Sequence, residues 1–372
     1  MLTFTKTPET DKEVKNMVIY TLLKNRGKMS RSDIANITKI NMVSISNYVK
    51  SFIKKGLISE KQTGESSGGR PPILVDLNKD NVYAIGMHLT DSSVIGVLVN
   101  STVGVVNKLS KDPASGELAE VVSEAVDSLK SGIDSSLLKG VAIVSSLSGN
   151  VDSVSLETKI EEKLSPRTGE AKLYMAPVSL ACAYAEISRE SNFPSDKIIY
   201  SFRDVGECVL WENFGFYNWQ DHDQDEEGLS YLKPWDDIMG IRQRAKLIIE
   251  KGVGTEILHL AGGELKDIRE IDVINAANKN DDVAIEILEF VGMSLGVRLA
   301  FLVNVFKPKK LILGGGVEKA GRFFIDPLRN SIEKLSMQAA FKKLEVKSAS
   351  LGEEAAAVGS AALVIREIFM EG

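Results

Sequence analysis

Cysteine and histidine are scarce in this chain, and aromatic residues make up only 6% of it, so metal and disulfide chemistry can be weighed first. Its two cysteines, Cys182 and Cys208, stand alone in the sequence and cannot build a thiolate metal cage or a disulfide framework. Among three histidines only His222 is flanked by carboxylates, in Asp221-His222-Asp223, and one histidine in a charged run reads as a solvated loop. No metal and no cofactor is expected. No apolar run nears the roughly 18 residues of a membrane span. The first sixteen residues lack the apolar core and cleavage pattern of a signal peptide, so a cytoplasmic location is expected.

Net charge is −6, which at first argues against nucleic acid. The charge is unevenly divided, however. Residues 1–70 hold thirteen Lys/Arg against six Asp/Glu, so this stretch carries about +7 and the remainder about −13. A basic head can attract phosphates while an acidic body keeps the protein soluble. The same charge would also suit a solvated face with no partner.

The head has the pattern of a winged helix-turn-helix. Val14, Met17, Val18, Tyr20, Leu22 and Leu23 form a helical stripe over Asp11 to Lys24, broken by Asn25-Arg26-Gly27. Ser30 suits an N-cap for a helix from Arg31 to about Ile37, with Asp33 three residues on. A turn over Thr38 to Asn41 leads to a third helix, Met42 to Lys55, stopped by Gly56. Ile45, Val49, Phe52 and Ile53 would face inward. The other face offers Asn41, Met42, Ser44, Ser46, Asn47 and Lys50. Short side chains permit close approach to a major groove, and amides and hydroxyls can meet base edges and phosphates. A strand at Leu57 to Lys61 and another after Pro72 would form the wing, with Arg70 projecting from Gly69-Arg70-Pro71 toward a minor groove. A plain flexible linker is the competing reading of that loop.

From Val82 the pattern becomes α/β. Strands are expected at Tyr83–Leu89, Ser93–Asn100, Val103–Leu109 and Val141–Val144, with helices near Leu118–Ser131 and Val178–Arg189. A second series follows: strands at Lys197–Phe202 and Glu207–Trp211, a long helix from Asp282 to Asn304, and a strand at Lys310–Leu313. Gly314-Gly315-Gly316, a helix near Ile325–Leu335, a strand at Glu345–Ser348 and a closing helix from Glu353 to Phe369 complete it. Two such halves predict a two-lobed actin/hexokinase-like (ribonuclease H-like) body with a cleft. The expected domains are 1–75 (winged helix-turn-helix), 76–195 (first lobe) and 196–372 (second lobe), with a return of the last helix to the first lobe as the alternative.

Four segments resemble the ROK family of sugar-responsive repressors and sugar kinases: Thr38 to Ile58, Gly68 to Asn78 (GGRPPILVDLN), Pro308 to Val317 (PKKLILGGGV) and Leu351 to Ala362. Kinase members normally lack a winged helix, so the resemblance points to the repressor branch. It also implies where catalytic groups should stand, and this chain departs there. The family's first phosphate turn, D-x-G-G-T, is His88-Leu89-Thr90-Asp91-Ser92; its N-D-x-N, which holds the general base, aligns with Pro177-Val178-Ser179-Leu180. The second phosphate loop becomes Ser201 to Cys208 with one glycine, and the family's cysteine-rich zinc motif is absent. Loss of a general base alone typically costs about 10² to 10⁴ in rate. The expectation is a protein that is not an enzyme.

The loop Ser145 to Asn150 resembles the family segment that meets the sugar. Ser146, Ser148 and Asn150, with Ser179, are therefore candidate contacts to a sugar or polyol effector, although a plain serine-rich turn reads the same way. The expected partners are a double-stranded, palindromic DNA operator, that effector, and a second copy in a homodimer, with no membrane. Two alternatives stay open: a sugar kinase, and a constitutive DNA-binding protein whose body only dimerises.

Overall fold

The computed structural model describes residues 1–4, 7–62, 73–147, 153–189, 197–203, 207–218 and 239–372. The chain divides into two compact units: Met1–Phe193 with Glu353–Gly372, and Pro194–Gly352.

The first unit opens with the winged helix. Helix α1 (Asp11–Arg26) starts at a complete Thr10/Glu13 capping box. It runs two residues past the expected end at Lys24, because Asn25 and Arg26 tolerate the last turn and the break comes only at Gly27, with φ 74°. A two-residue strand, β1 (Met29–Ser30), precedes α2 (Arg31–Thr38), where Ser30 caps the Asp33 amide. Helix α3 (Met42–Lys54) follows, then β2 (Ile58–Gln62) and β3 (Ile73–Leu77). These strands form an antiparallel sheet in the order β1-β3-β2, with Glu60 opposite Val75. Strand β1 escaped the sequence reading because two residues carry no periodicity.

Next come β4 (Tyr83–Leu89), β5 (Val94–Asn100), β6 (Val105–Lys111), α4 (Leu118–Lys130), β7 (Leu138–Ser145), α5 (Ser153–Thr168), β8 (Lys172–Met175) and α6 (Val178–Ile187). The sheet order is β6-β5-β4-β7-β8, antiparallel through β4 and parallel from β4 to β8. Helix α5 and strand β8 were not foreseen. Only Leu156, Ile160 and Leu164, four apart, form an apolar line on α5, too narrow to stand out among its charges. The N-terminal residues add to the β8 edge: Leu2 N–H donates to Leu173 (2.8 Å), and Phe4 stacks on Tyr174 at 4.6 Å.

The second unit repeats that order. It holds β9 (Ile198–Phe202), β10 (Glu207–Glu212), β11 (Gly215–Asn218), α7 (Ile241–Glu250), α8 (Glu256–Leu260), α9 (Glu270–Asn278) and α10 (Asp282–Phe306). Strand β12 (Lys310–Gly314), α11 (Arg322–Leu335), α12 (Gln338–Phe341) and β13 (Glu345–Ser348) complete it. Its sheet reads β11-β10-β9-β12-β13, again third-second-first-fourth-fifth, with a meander followed by parallel strands. This repeated topology is the actin/hexokinase-like plan.

The closing helix α13 (Ala355–Glu371) packs in the first unit, against α6 and β4. Its small residues, Ala355 to Ala362, permit the approach: a Cβ on Gly359 would lie 1.7 Å from the Ala181 carbonyl oxygen. From the other side, a Cβ on Gly86 would lie 1.9 Å from the Ala357 oxygen. Glycine at both positions is a requirement of packing density.

Candidate functional site

Helix α3 divides its residues by face. Ile45, Val49 and Phe52 are fully buried, each contributing about 1.5–3 kcal/mol by burial. Asn41, Met42, Asn47 and Lys50 are exposed, while Ser44 and Ser46 are half-buried on the flank. Of the six predicted positions, four are thus open to solvent and two are half-buried. Asn41 has a structural duty as well, since its Oδ1 accepts from the Ser44 N–H at 2.8 Å as the N-cap. Its carbonyl is committed there.

Two outward residues were missed. Val43, 72% exposed in the first turn, presents methyls where a thymine methyl could sit. Lys39 is exposed in the turn before α3, with φ 60°. Val43 was obscured by its hydrophobicity. Arg31, by contrast, pairs with Glu60 on β2, so this charge serves the wing. Arg70 and the rest of 63–72 lie outside the described residues.

The head is anchored on α13 within its own unit. Tyr20 stacks on Phe369 (4.2 Å between centroids), and Phe52 of α3 meets the same ring edge-on at 5.7 Å. Asn16 donates to the Met370 carbonyl (3.0 Å), Ser51 to that of Gly372 (3.3 Å), and Tyr20 to that of Ser101 (3.1 Å). Beside this seam Arg366, completely buried, pairs with Glu367 at 2.7 Å. Burial pushes the Tyr20 hydroxyl well above its usual range, so it stays protonated as a donor.

Lys24 of α1 donates to the Ser188 carbonyl, and burial of its ammonium, with Arg189 nearby, brings its pKa down to about 8. Below pH 8 both folded and unfolded chains hold the proton and the folded state bears the full penalty. Between about pH 8 and the ordinary lysine value of 10.5 the unfolded chain binds more protons, so stability rises with pH. Lys24→Met is expected to remove that rise, read as the difference between wild-type and variant urea midpoints across the window. Parallel profiles would mean that Lys24 is not the titrating group.

Of the predicted effector contacts, Ser146 bonds to His88 Nε2 through its hydroxyl at 2.9 Å. Both stand at the carboxyl ends of the parallel pair β4/β7, the usual ligand end of such strands. His88 lies in β4. Only the parallel pairing reveals its neighbour. Ser179, in the first turn of α6, is fully buried rather than open to solvent. Ser148 and Asn150 lie outside the described residues, as do residues 204–206 and the segment around His222. Among the described residues no group of three or more His, Cys, Asp or Glu could hold a metal. Burial raises the Cys208 thiol to about 12, which leaves it unreactive.

In the Gly314-Gly315-Gly316 run the first two glycines have a packing cause. A Cβ on Gly314 would fall 2.0 Å from the Tyr200 hydroxyl, and one on Gly315 would fall 2.6 Å from the Arg203 nitrogen. Gly316 N–H donates to the Glu318 carboxylate at 2.9 Å, which puts negative charge at the loop. Gly314 and Gly315 are needed beside β9 whether or not a nucleotide ever binds, and Gly316 is set apart by its φ of 105°. At the start of α6, Val178 and Ser179 follow Pro177 with no carboxylate. Among the described residues no helix is long and apolar enough to cross a membrane.

Against known proteins, residues 246–367 match the ROK family. A xylose repressor from Caldicellulosiruptor bescii is 25% identical, over 95% of this chain and 96% of its own length. A ROK family transcriptional regulator, a homologue of the E. coli MLC protein, superposes with a TM-score of 0.69 at 19% identity, covering 96% of this chain and 97% of that one. A ROK family glucokinase from Streptomyces griseus, solved with glucose and AMPPNP, gives 0.52 at 19% identity and covers 76% of this chain and 98% of its own. The regulator spans nearly all of this chain, and the kinase about three quarters of it. Residues 246–367 of the chain thus form a ROK family domain.

Proposed function

We propose that this chain is a DNA-binding transcriptional repressor of carbohydrate-utilisation genes, released from its operator by a sugar or polyol. Residues 1–75 serve as the DNA-binding domain, and the rest of the first unit (76–193 with 353–372) together with the second unit (194–352) as a sensor without catalysis. The observation that carries this reading is helix α3, anchored by Ile45, Val49 and Phe52 with Asn47 and Lys50 facing outward, on a chain that matches a xylose repressor along almost its whole length. Asn47 and Ser46 would read bases, Lys39 and Lys50 would hold phosphates, and Ser146 would meet the effector. The absence of a carboxylate at the start of α6 supports a sensor over a kinase.

The test is fluorescence anisotropy of the purified protein on its own promoter DNA, with salt varied and a panel of sugars and polyols added. One compound is expected to weaken binding about 5- to 150-fold, the usual range of coupling between two sites. Binding indifferent to every compound would favour a constitutive DNA-binding protein. The glucokinase likeness supports a second reading, a sugar kinase. Production of ADP from ATP and any sugar of the panel would overturn the non-catalytic one.

A further inference from the structure

Val43 is 72% exposed, more than any other large apolar side chain among the described residues. It stands three, four and seven residues before Ser46, Asn47 and Lys50. One helical stripe therefore begins with an isopropyl group and continues with a hydroxyl, an amide and an ammonium. Nothing local asks for valine there. A β-branched side chain is only a moderate helix former, and at this exposure it gains little by burial. The turn is also unusual in charge. Helices α1 and α2 open with Asp11, Glu13 and Asp33, as suits the positive end of a helix, whereas the first turn of α3 holds no acid.

The apolar spot is small. Met42, 47% exposed, adds to it, and Lys39, Asn41, Asn47 and Lys50 frame the pair with charge and amides. Two side chains fall well short of the about 800 Å² that a protein partner takes from each side. A polyanion with methyl-sized apolar points between its charges fits better. Duplex DNA is such a surface, because the thymine methyl is the apolar group that its base edges present in the major groove. RNA carries uracil instead, and its deep, narrow major groove is closed to side chains. Asn41 cannot take over the reading of this turn. Its Oδ1 accepts from the Ser44 N–H at 2.8 Å, which leaves an amide donor and forbids the bidentate pair that reads adenine.

We propose that Val43 sets the base preference of the first turn of α3 by packing on the 5-methyl group of a thymine in the major groove of the operator. The contact takes two apolar groups out of water together. Cytosine, adenine and guanine offer no methyl to meet it, so the turn selects a T·A pair. Asn47, on the same stripe, is left to read a neighbouring base by hydrogen bonds, and Lys39 and Lys50 to hold the phosphates at the edges. The inference rests on the DNA-binding reading of α3 and adds to it a base and a group on that base.

The experiment lets the full-length protein select duplexes from a random DNA library, then replaces each thymine of the selected duplex by deoxyuridine, one at a time. Each replacement removes one methyl and leaves the base pair intact. Fluorescence anisotropy is expected to show a thymine whose replacement weakens wild-type binding about 4-fold, the effect of burying one methyl group. Val43→Ser, at an exposed position and with unchanged circular-dichroism melting, should bind the thymine duplex more weakly by about 4-fold or more. It should also be indifferent to that one replacement. Any effect of uracil on duplex shape would persist in the variant, so indifference isolates the contact. A selected duplex with no such thymine, or one whose sensitivity survives Val43→Ser, would overturn the proposal and leave the DNA-binding reading standing. A selection that enriches no sequence defeats that reading, and the thymine contact with it.

Discussion

Replacing Asn47 with alanine is expected to weaken specific operator binding by about 5- to 150-fold per half-site, the effect of losing a good side-chain contact worth ~1–3 kcal/mol. Asn47 is exposed in the second turn of α3, between the buried anchors Ile45 and Val49, so its removal should leave the fold and melting temperature unchanged. Lys50→Ala makes an informative contrast. Phosphate contacts carry no sequence information, so this change should lower affinity uniformly across DNA sequences and make the salt slope shallower by about 1. Competition anisotropy against specific and random duplexes at several salt concentrations separates the two. If Asn47→Ala lowers specific and random binding equally, Asn47 does not read a base.

The second large effect is expected at Phe369. This one ring stacks on Tyr20 of α1 and meets Phe52 of α3 edge-on, joining two helices of the DNA-binding head to α13. Phe369→Ala leaves a cavity at that junction and is expected to cost about 3–5 kcal/mol, the usual range for a buried phenylalanine. Aromatic pairing adds ~0.5–1.5 kcal/mol per pair within that figure. Urea denaturation followed by circular dichroism reads the loss, and amide exchange should quicken in α1, α3 and α13 before the rest of the chain. Phe369→Leu, which keeps most of the volume, should recover over half of the stability. A change under about 1 kcal/mol for the alanine variant would mean that the backbone bonds from Asn16 and Ser51 hold the head instead.

How far the sequence was legible depends on how local each signal was. The cap at Ser30, the inward stripe Ile45-Val49-Phe52 and the glycine stop at Gly27 are each set within a turn or two of helix, and each stands where the pattern put it to within two residues. Strand β1 and helix α5 were missed for the same reason in reverse, since one is too short for a period and the other has a single thin apolar line. At the carboxyl ends of β4 and β7, the serine-rich loop could be found from its resemblance, but the partnership of His88 with Ser146 could not. Those residues are 58 positions apart and meet only because β4 and β7 run parallel.

By itself, then, the sequence determined the elements whose cause is local: a capped helix-turn-helix with a polar outward face, and two series of strands and helices. Only the tertiary structure decided what each leftover feature is for. It assigned Gly314 and Gly315 to contact with β9, and it returned α13 to the first unit as the anchor of the DNA-binding head. It also left Val43 exposed on the outward side of α3. The physical reason is that burial is a property of what a side chain meets, and those meetings join residues far apart in the chain.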